Sequence, residues 1–235
     1  MRLDQALAQQ HTLSRNKAAE LIQSGAVFVD SKRVTKPAYP VDPDAPITLS
    51  GSVPYVSRSA RKLEGFLDQS GLDVSKRACL DIGSSTGGFV QVLLQSGAAS
   101  VTAVDVGLNQ LHPSLRDDPR IKLHEQTDIR NFHPGERFSF ITCDVSFVSL
   151  EHLIEPIDRL ASGVIVLLFK PQFEVGRAAK RDRSGVVRDR AAIEAAMARF
   201  EARCIEQGWT LTHKAPASIT GKSGNQEIFY GYQHV

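Results

Sequence analysis

Cys79 to Phe89 reads C-L-D-I-G-S-S-T-G-G-F, and few local structures accommodate it. An apolar run ends at Asp81, Gly83, Gly87 and Gly88 follow, and Phe89, Val92 and Leu93 then recur at the i, i+3, i+4 spacing of an amphipathic helix. The stretch predicts strand, glycine loop, helix. Backbone N–H groups at such a loop suit electron-rich ligand atoms, and glycines admit a ligand where a Cβ would clash. The spacing D-x-G-x-x-x-G-G is neither the G-x-G-x-x-G of NAD binders nor a phosphate loop, which argues against an NAD oxidoreductase. Gly221-Lys222-Ser223 is no phosphate loop either, because the required first glycine is Pro216 and a β-like run follows.

Beyond Asp81, apolar strands alternate with helical patterns, the signature of a parallel sheet with crossover helices. Residues 100–106 predict a second strand containing Asp105, where nucleoside-binding proteins place a carboxylate for ribose hydroxyls, with Val106 beside it. Residues 121–123 predict a third, with Asp128 in the next loop near an adenine position, and 138–143 a fourth that ends at Asp144. Leu150, Leu153, Ile154, Ile157 and Leu160 form one helical stripe. Residues 164–169 are an uninterrupted apolar run, as in a strand buried on both faces, and deliver Lys170 to its C-terminal end. Open α/β sheets bind ligands outside the carboxyl ends of their strands, so Asp81, Asp105, Asp144 and Lys170 should share one crevice. The basic, aperiodic segment 176–190 contains Arg177, Lys180, Arg181, Arg183, Arg188 and Arg190, and reads as a mobile loop suited to a polyanion. A last helix with Ile193, Ala196, Met197 and Phe200 precedes two strands near 209–213 and 227–232.

The N-terminal residues follow another plan. Leu3, Ala6 and Leu7 mark a short helix, Ser14 an N-cap, and Ala18, Leu21 and Ile22 a second helix ended by Gly25. Val27 and Val29 lie on one face of a strand, with a polar turn at 30–33. Pro37, Pro40, Pro43, Pro46, Gly51 and Pro54 then mark loops and a domain junction near Ser50. The expected domains are 1–50, a linker 51–59, and 60–235. Just past the junction, Leu63, Phe66 and Leu67 make a buried stripe that leaves Arg58, Arg61 and Lys62 outside; by itself Lys62 reads as a solvated lysine.

A net charge of +2 implies no polyanion partner by itself, so any nucleic-acid footprint must be local. No apolar run reaches the roughly 20 residues that span a bilayer, and the start shows no signal-peptide pattern. Cys79, Cys143 and Cys204 are too scattered for a disulfide framework or zinc ribbon. A cytoplasmic protein without a metal site or an obligate protein partner is expected.

Resemblance sharpens these readings. The pattern R-L-D-x-x-L, S-R-x-x-A-x-x-L-I-x-x-G-x-V-x-V, V-x-K-P over residues 1–46 resembles the S4 RNA-binding module. That likeness implies phosphate contacts from Arg2, Arg15, Lys17, Lys32, Arg33 and Lys36. Outside the module, the basic residues Arg58, Arg61, Arg177, Lys180, Arg181 and Arg183 are expected to add to an RNA surface by their charge. The glycine loop looks like that of Rossmann-like methyltransferases, implying an S-adenosylmethionine (SAM) site of Asp81, Gly83, Ser84, Ser85, Thr86, Gly87, Gly88, Phe89, Asp105, Val106, Asp128 and Asp144. The whole series, with Y-V-S-R-x-x-x-K-L, D-V-G-x-x-Q-L, D-V-S-F-V-S-L, K-P-Q-F-E, G-V-V-R-D and S-G-N-Q-E, resembles the TlyA (hemolysin A) family, whose catalytic domain is similar to FtsJ-type 2′-O-methyltransferases. It implies an α/β SAM-dependent methyltransferase with a mostly parallel seven-stranded sheet behind a small α+β S4 domain. It further implies methylation of ribosomal RNA, at cytidine, with ribosomal RNA or ribosomal subunits as partners.

The related enzymes' Lys-Asp-Lys-Glu tetrad falls on Lys62, Asp144, Lys170 and Glu227. Ser59-Ala60 stands where that pattern has a glycine. A ribose hydroxyl is a poor nucleophile until deprotonated, and a neutral Lys170 could take its proton given desolvation or a nearby cation such as Lys62. Asp144 and Glu227 would hold the lysines in place; a base and an electrostatic aligner both remain open for Lys170. Membrane-active hemolysin and catalytically inactive assembly factor are the rival functions, and a complete tetrad argues against the second.

Overall fold

The computed structural model describes residues 1–30, 32–42, 45, 47–49, 55–176 and 178–234 and divides into two compact units, Met1–Tyr55 and Val56–Val235. Pro43, Pro46, Ser50, Gly51 and Pro54 of the expected junction lie outside the described residues.

In the first unit, α1 (Leu3–Gln10) and α2 (Arg15–Gln23) precede a sheet of β1 (Val27–Val29), β2 (Lys32–Arg33) and β3 (Ile47–Leu49). The Ser14 hydroxyl accepts the Lys17 N–H at 3.2 Å, pairing a donor that the helix start leaves free. The alternation of Val27 and Val29 puts both against Leu3, Leu7 and Ile22, and this buried cluster is the unit's core. Two local features differ from expectation. Lys32 and Arg33, expected in the turn, pair with Val29 and Phe28, because Asp30 takes a left-handed backbone (φ +48) and tightens the reversal. The proline-rich interval also contributes β3, whose Ile47 and Leu49 pair with Val29 and Val27.

The second unit opens with α3 (Arg58–Ser70), so Arg58 and Ser59, expected in the linker, form its first turn. There follow β4 (Ala78–Ile82), α4 (Gly88–Gln95), β5 (Ser100–Val104), α5 (Pro113–Arg116), β6 (Ile121–His124) and β7 (Phe138–Cys143). The chain ends with α6 (Ile154–Leu160), β8 (Ala161–Phe169), α7 (Pro171–Glu174), α8 (Arg190–Glu206), β9 (Thr210–Pro216) and β10 (Ile228–Gln233). Seven strands lie in the order β6-β5-β4-β7-β8-β10-β9, parallel throughout except for β10, which runs antiparallel to both neighbours.

Continuous apolar sequence in β8 buries it on both faces, against β7, α6 and Phe200 of α8. The stripe from Leu150 to Leu160 is buried as expected, but is shared between a short 3-10 turn (Leu150–His152) and α6. Strand order reverses at β4, whose neighbours β5 and β7 lie on opposite sides, and this opens a crevice at their carboxyl ends. Because β10 is antiparallel, with Ile228 opposite Phe169, Glu227 arrives at the end of β8 that carries Lys170. Within the basic segment, residues 181–187 form a turn closed by a β-bridge. Arg181 pairs with Val187, and the Asp182 carboxylate accepts from the Ser184 and Val186 N–H groups and from the Ser184 hydroxyl.

Candidate active site

β4 buries Asp81 completely. Thr142 of the neighbouring β7 donates its hydroxyl to Oδ1 at 2.7 Å, while Oδ2 has no partner, and burial pushes the carboxyl up to about 7. The loop beyond is built on close approaches. Gly83 has φ +79, and a Cβ there would stand 2.8 Å from the Asp144 carbonyl oxygen. Ser84 Oγ is buried without a partner, and the Ser85 N–H donates to Asp105 Oδ2 at 2.8 Å. Gly87 and Gly88, expected against a cofactor, do not line the cleft. A Cβ on Gly87 (φ +92) would come within 2.5 Å of Leu115 and 2.6 Å of Leu111, and one on Gly88 within 2.1 Å of Ser57 Oγ. Their space is taken by the protein itself. Gly87→Ala should therefore lower stability by about 2–4 kcal/mol, from backbone strain plus overpacking, as read by urea unfolding without ligand.

Gly88 also accounts for Ser59-Ala60. The start of α3 is a regular helix with Ala60 fully buried, and the glycine permitting close approach sits opposite, in α4.

Two adjoining cavities of about 380 and 500 Å³ share Gly83, Ser85, Asp144 and Ser146. The larger is lined by Lys62, Asp81, Ser84, Thr86, Phe89 and Lys170, and the smaller by Asp105, Val106, Asp128 and Phe147. Asp105 accepts from the backbone on both oxygens, with the Gly107 N–H at 2.7 Å on Oδ1. The Arg130 guanidinium beside Asp128 holds that carboxyl below the usual range.

The four residues of the expected tetrad form two ion pairs. Lys170 Nζ lies 2.6 Å from Asp144 Oδ1 and donates to Ser146 Oγ at 3.1 Å. Lys62 donates to Glu227 Oε2 at 2.6 Å, and both are buried, so Lys62 is no solvated lysine. Gln172 approaches Glu227 Oε1 at 3.5 Å, and Gly221 leaves room for that oxygen, which a Cβ would approach to 2.4 Å. Ser146, Gln172, Gly221 and Lys222, the last lining the larger cavity, do not stand out as site residues in the sequence. Neither does Phe147, 92% exposed at φ +67, with its ring 5.1 Å from that of Phe173. A bulky aromatic inside the motif after Asp144 was the available signal.

A family model for the FtsJ-like methyltransferases matches residues 55–234, and the S4 domain model matches residues 1–47. The 23S rRNA (cytidine-2′-O)-methyltransferase TlyA of Campylobacter jejuni is 46% identical, with 99% of each chain covered. The chain belongs to the TlyA family of FtsJ-like methyltransferases. Another TlyA relative, the 16S/23S rRNA (cytidine-2′-O)-methyltransferase of Mycobacterium tuberculosis, is 42% identical over 92% of this chain and 83% of its own. Among solved structures, a protein from Streptococcus thermophilus described as a hemolysin superposes with a TM-score of 0.73 at 33% identity, covering 100% of this chain and 88% of its own.

The basic residues of this TlyA chain divide by partner. Arg58 lines the larger cavity, and Arg61, Lys180, Arg183 and Lys36 are exposed. Arg2 and Arg15 lie against Asp4, and Lys17 pairs with Glu20 at 3.1 Å. Arg181 is committed to the carbonyls of Gln172, Gly176 and Ala179, so it braces the bridged turn. Arg177 and the side chains of Lys32 and Arg33 lie outside the described residues. Among the described residues no helix is long and apolar enough to cross a membrane, and no cluster of His, Cys, Asp and Glu could hold a metal ion.

Proposed function

We propose that this chain transfers a methyl group from SAM to the ribose 2′-hydroxyl of a cytidine in ribosomal RNA, in the cytoplasm. The observation that carries the reading is the pairing of Lys62 with Glu227 and Lys170 with Asp144 around one cleft that also holds Asp81, whose Oδ2 has no partner. The cleft suits the cofactor. A buried carboxylate oxygen without a donor fits an ammonium group, as SAM carries on its methionine end, and Asp105 keeps lone pairs for ribose hydroxyls. Bound SAM supplies a methyl on a cationic sulfonium, so the transfer needs mainly alignment and removal of the acceptor's proton. Asp81, Asp105, Asp128 and the Gly83–Ser85 backbone hold the cofactor. Lys170, set by Asp144 and Ser146, meets the acceptor hydroxyl, and Lys62, held by Glu227, lines the same cavity.

Mass spectrometry of ribosomal RNA nucleosides tests this. Cells lacking the gene should lose a 2′-O-methylcytidine that returns with the wild-type gene; unchanged nucleosides would sink the proposal. Lysis of erythrocytes by purified protein, without rRNA methylation, would instead revive the hemolysin reading.

The S4 unit carries RNA affinity through its basic residues. Neutralising Arg15, Lys17, Lys32 and Arg33 together should weaken RNA binding and reduce the salt slope by about 0.7–0.9 for each phosphate no longer neutralised, leaving cofactor affinity unchanged. An unaltered slope would make these charges a solvated face only.

A further inference from the structure

Glu174 closes the K-P-Q-F-E motif and has no place in the chemistry above, yet it is buried with 6% exposure. Its Oε2 accepts the Ser149 hydroxyl at 2.5 Å and its Oε1 accepts the Leu150 N–H at 3.0 Å. Ser149 ends the loop that leaves β7 with Asp144, Ser146 and Phe147, and Leu150 opens the 3-10 turn after it, whereas Glu174 ends α7, the turn that begins immediately after Lys170. The two loops meet at three successive points: Lys170 on Asp144 and Ser146, Phe173 on Phe147, and Glu174 on Ser149 and Leu150. Arg199 of α8 anchors the far end, donating to the Glu174 carbonyl at 3.4 Å and pairing with Glu151 at 3.5 Å.

A buried carboxylate is a costly way to fill space, and here burial pushes the Glu174 carboxyl up, partly offset by the two bonds it accepts. The 144–149 loop itself needs outside support. Phe147 adopts a left-handed backbone that bulky residues rarely take, and such a conformation persists where its surroundings over-determine it. Ser149 also caps the 3-10 turn, accepting the Glu151 N–H at 3.2 Å, so a Glu174 bond to Ser149 fixes where the loop ends.

We propose that Glu174 is a positioning residue, a strap that sets the Asp144–Ser149 loop against Lys170 at the spacing methyl transfer requires. The inference rests on Asp144 and Lys170 being the reaction centre.

The test compares Glu174→Leu, Glu174→Gln, Ser149→Ala and Lys170→Ala in the full-length protein. Each is measured for kcat and KM with rRNA substrate, S-adenosylhomocysteine affinity by calorimetry, and thermal unfolding. Misplacing the loop should cut kcat of Glu174→Leu about 10- to 100-fold, with KM for RNA within about twofold of wild type. Glutamine keeps an acceptor for the Leu150 N–H and can donate to Ser149 Oγ, so it should restore kcat to within about threefold. Ser149→Ala removes the hydroxyl bond to Glu174 together with the cap on the Glu151 N–H, leaves the Leu150 bond, and should cost kcat about threefold with the fold intact. Wild-type kcat in a folded Glu174→Leu protein overturns the proposal, as does a loss that glutamine does not relieve. Should the leucine variant fail to fold, Ser149→Ala decides, and wild-type kcat there overturns it. Normal turnover by Lys170→Ala would instead remove the reaction centre on which the strap is argued.

Discussion

Lys170→Ala should lower methyl transfer by about 10²- to 10⁴-fold, the range for removing a group that handles the reacting proton, while the fold and S-adenosylhomocysteine binding persist. The fold should survive because the packing of β8 comes from residues 164–169, all of them buried, and Lys170 follows the strand. Cofactor binding should survive because Asp81 and Asp105 make their contacts without Lys170. What the alanine removes is the cation that spans Asp144 and Ser146. Lys170→Arg separates two roles. A guanidinium keeps its proton at neutral pH and projects a wider planar fork, so an inactive arginine variant supports proton transfer to the lysine. Near-normal turnover by the arginine variant would assign Lys170 to alignment by charge, and near-normal turnover by the alanine variant would remove it from the mechanism.

Whatever the sequence showed clearly was carried by short-range pattern. The continuous apolar run before Lys170 read as a strand covered on both faces, and Ser14 ahead of Ala18, Leu21 and Ile22 marked the start of α2. Contacts between distant segments were not legible in the same way. Lys62 lies on an amphipathic helix where a lysine normally meets water, and its partner is 165 residues further on, just ahead of β10, the strand that runs antiparallel within the seven-stranded sheet. Only the family motif connected them. The glycines show a second limit. D-x-G-x-x-x-G-G states that side chains are excluded at Gly87 and Gly88, but not by what, and Leu111, Leu115 and Ser57 occupy the space expected for a ligand. β3 was hidden because three residues beside prolines carry too little alternation to register as a strand. Asp182 turned an apparently irregular basic segment into a bridged turn through bonds that charge counting does not detect.

Asp81→Asn should reduce affinity for S-adenosylhomocysteine about 100-fold at pH 8, and do so without harming the ligand-free protein. Asparagine keeps an acceptor for the Thr142 hydroxyl but cannot carry the charge that an ammonium would meet at Oδ2. The pH dependence gives this a distinct signature. Burial raises the Asp81 carboxyl from 3.8 to about 7, so between those values the native protein holds a proton that the unfolded chain releases. Ligand-free stability from this group therefore falls as pH rises through that window and levels off above about 7. Affinity should move the opposite way, because only the ionised carboxylate attracts the ligand's ammonium, and wild-type binding should tighten as pH climbs through about 7. In the asparagine variant both slopes should flatten together. Calorimetry across pH 5.5–8.5, paired with urea unfolding of ligand-free protein at each pH, separates the two trends. If the variant binds with wild-type affinity and the same pH slope, the ligand does not reach Oδ2, and Asp81 is a buried acid serving the sheet through Thr142 alone.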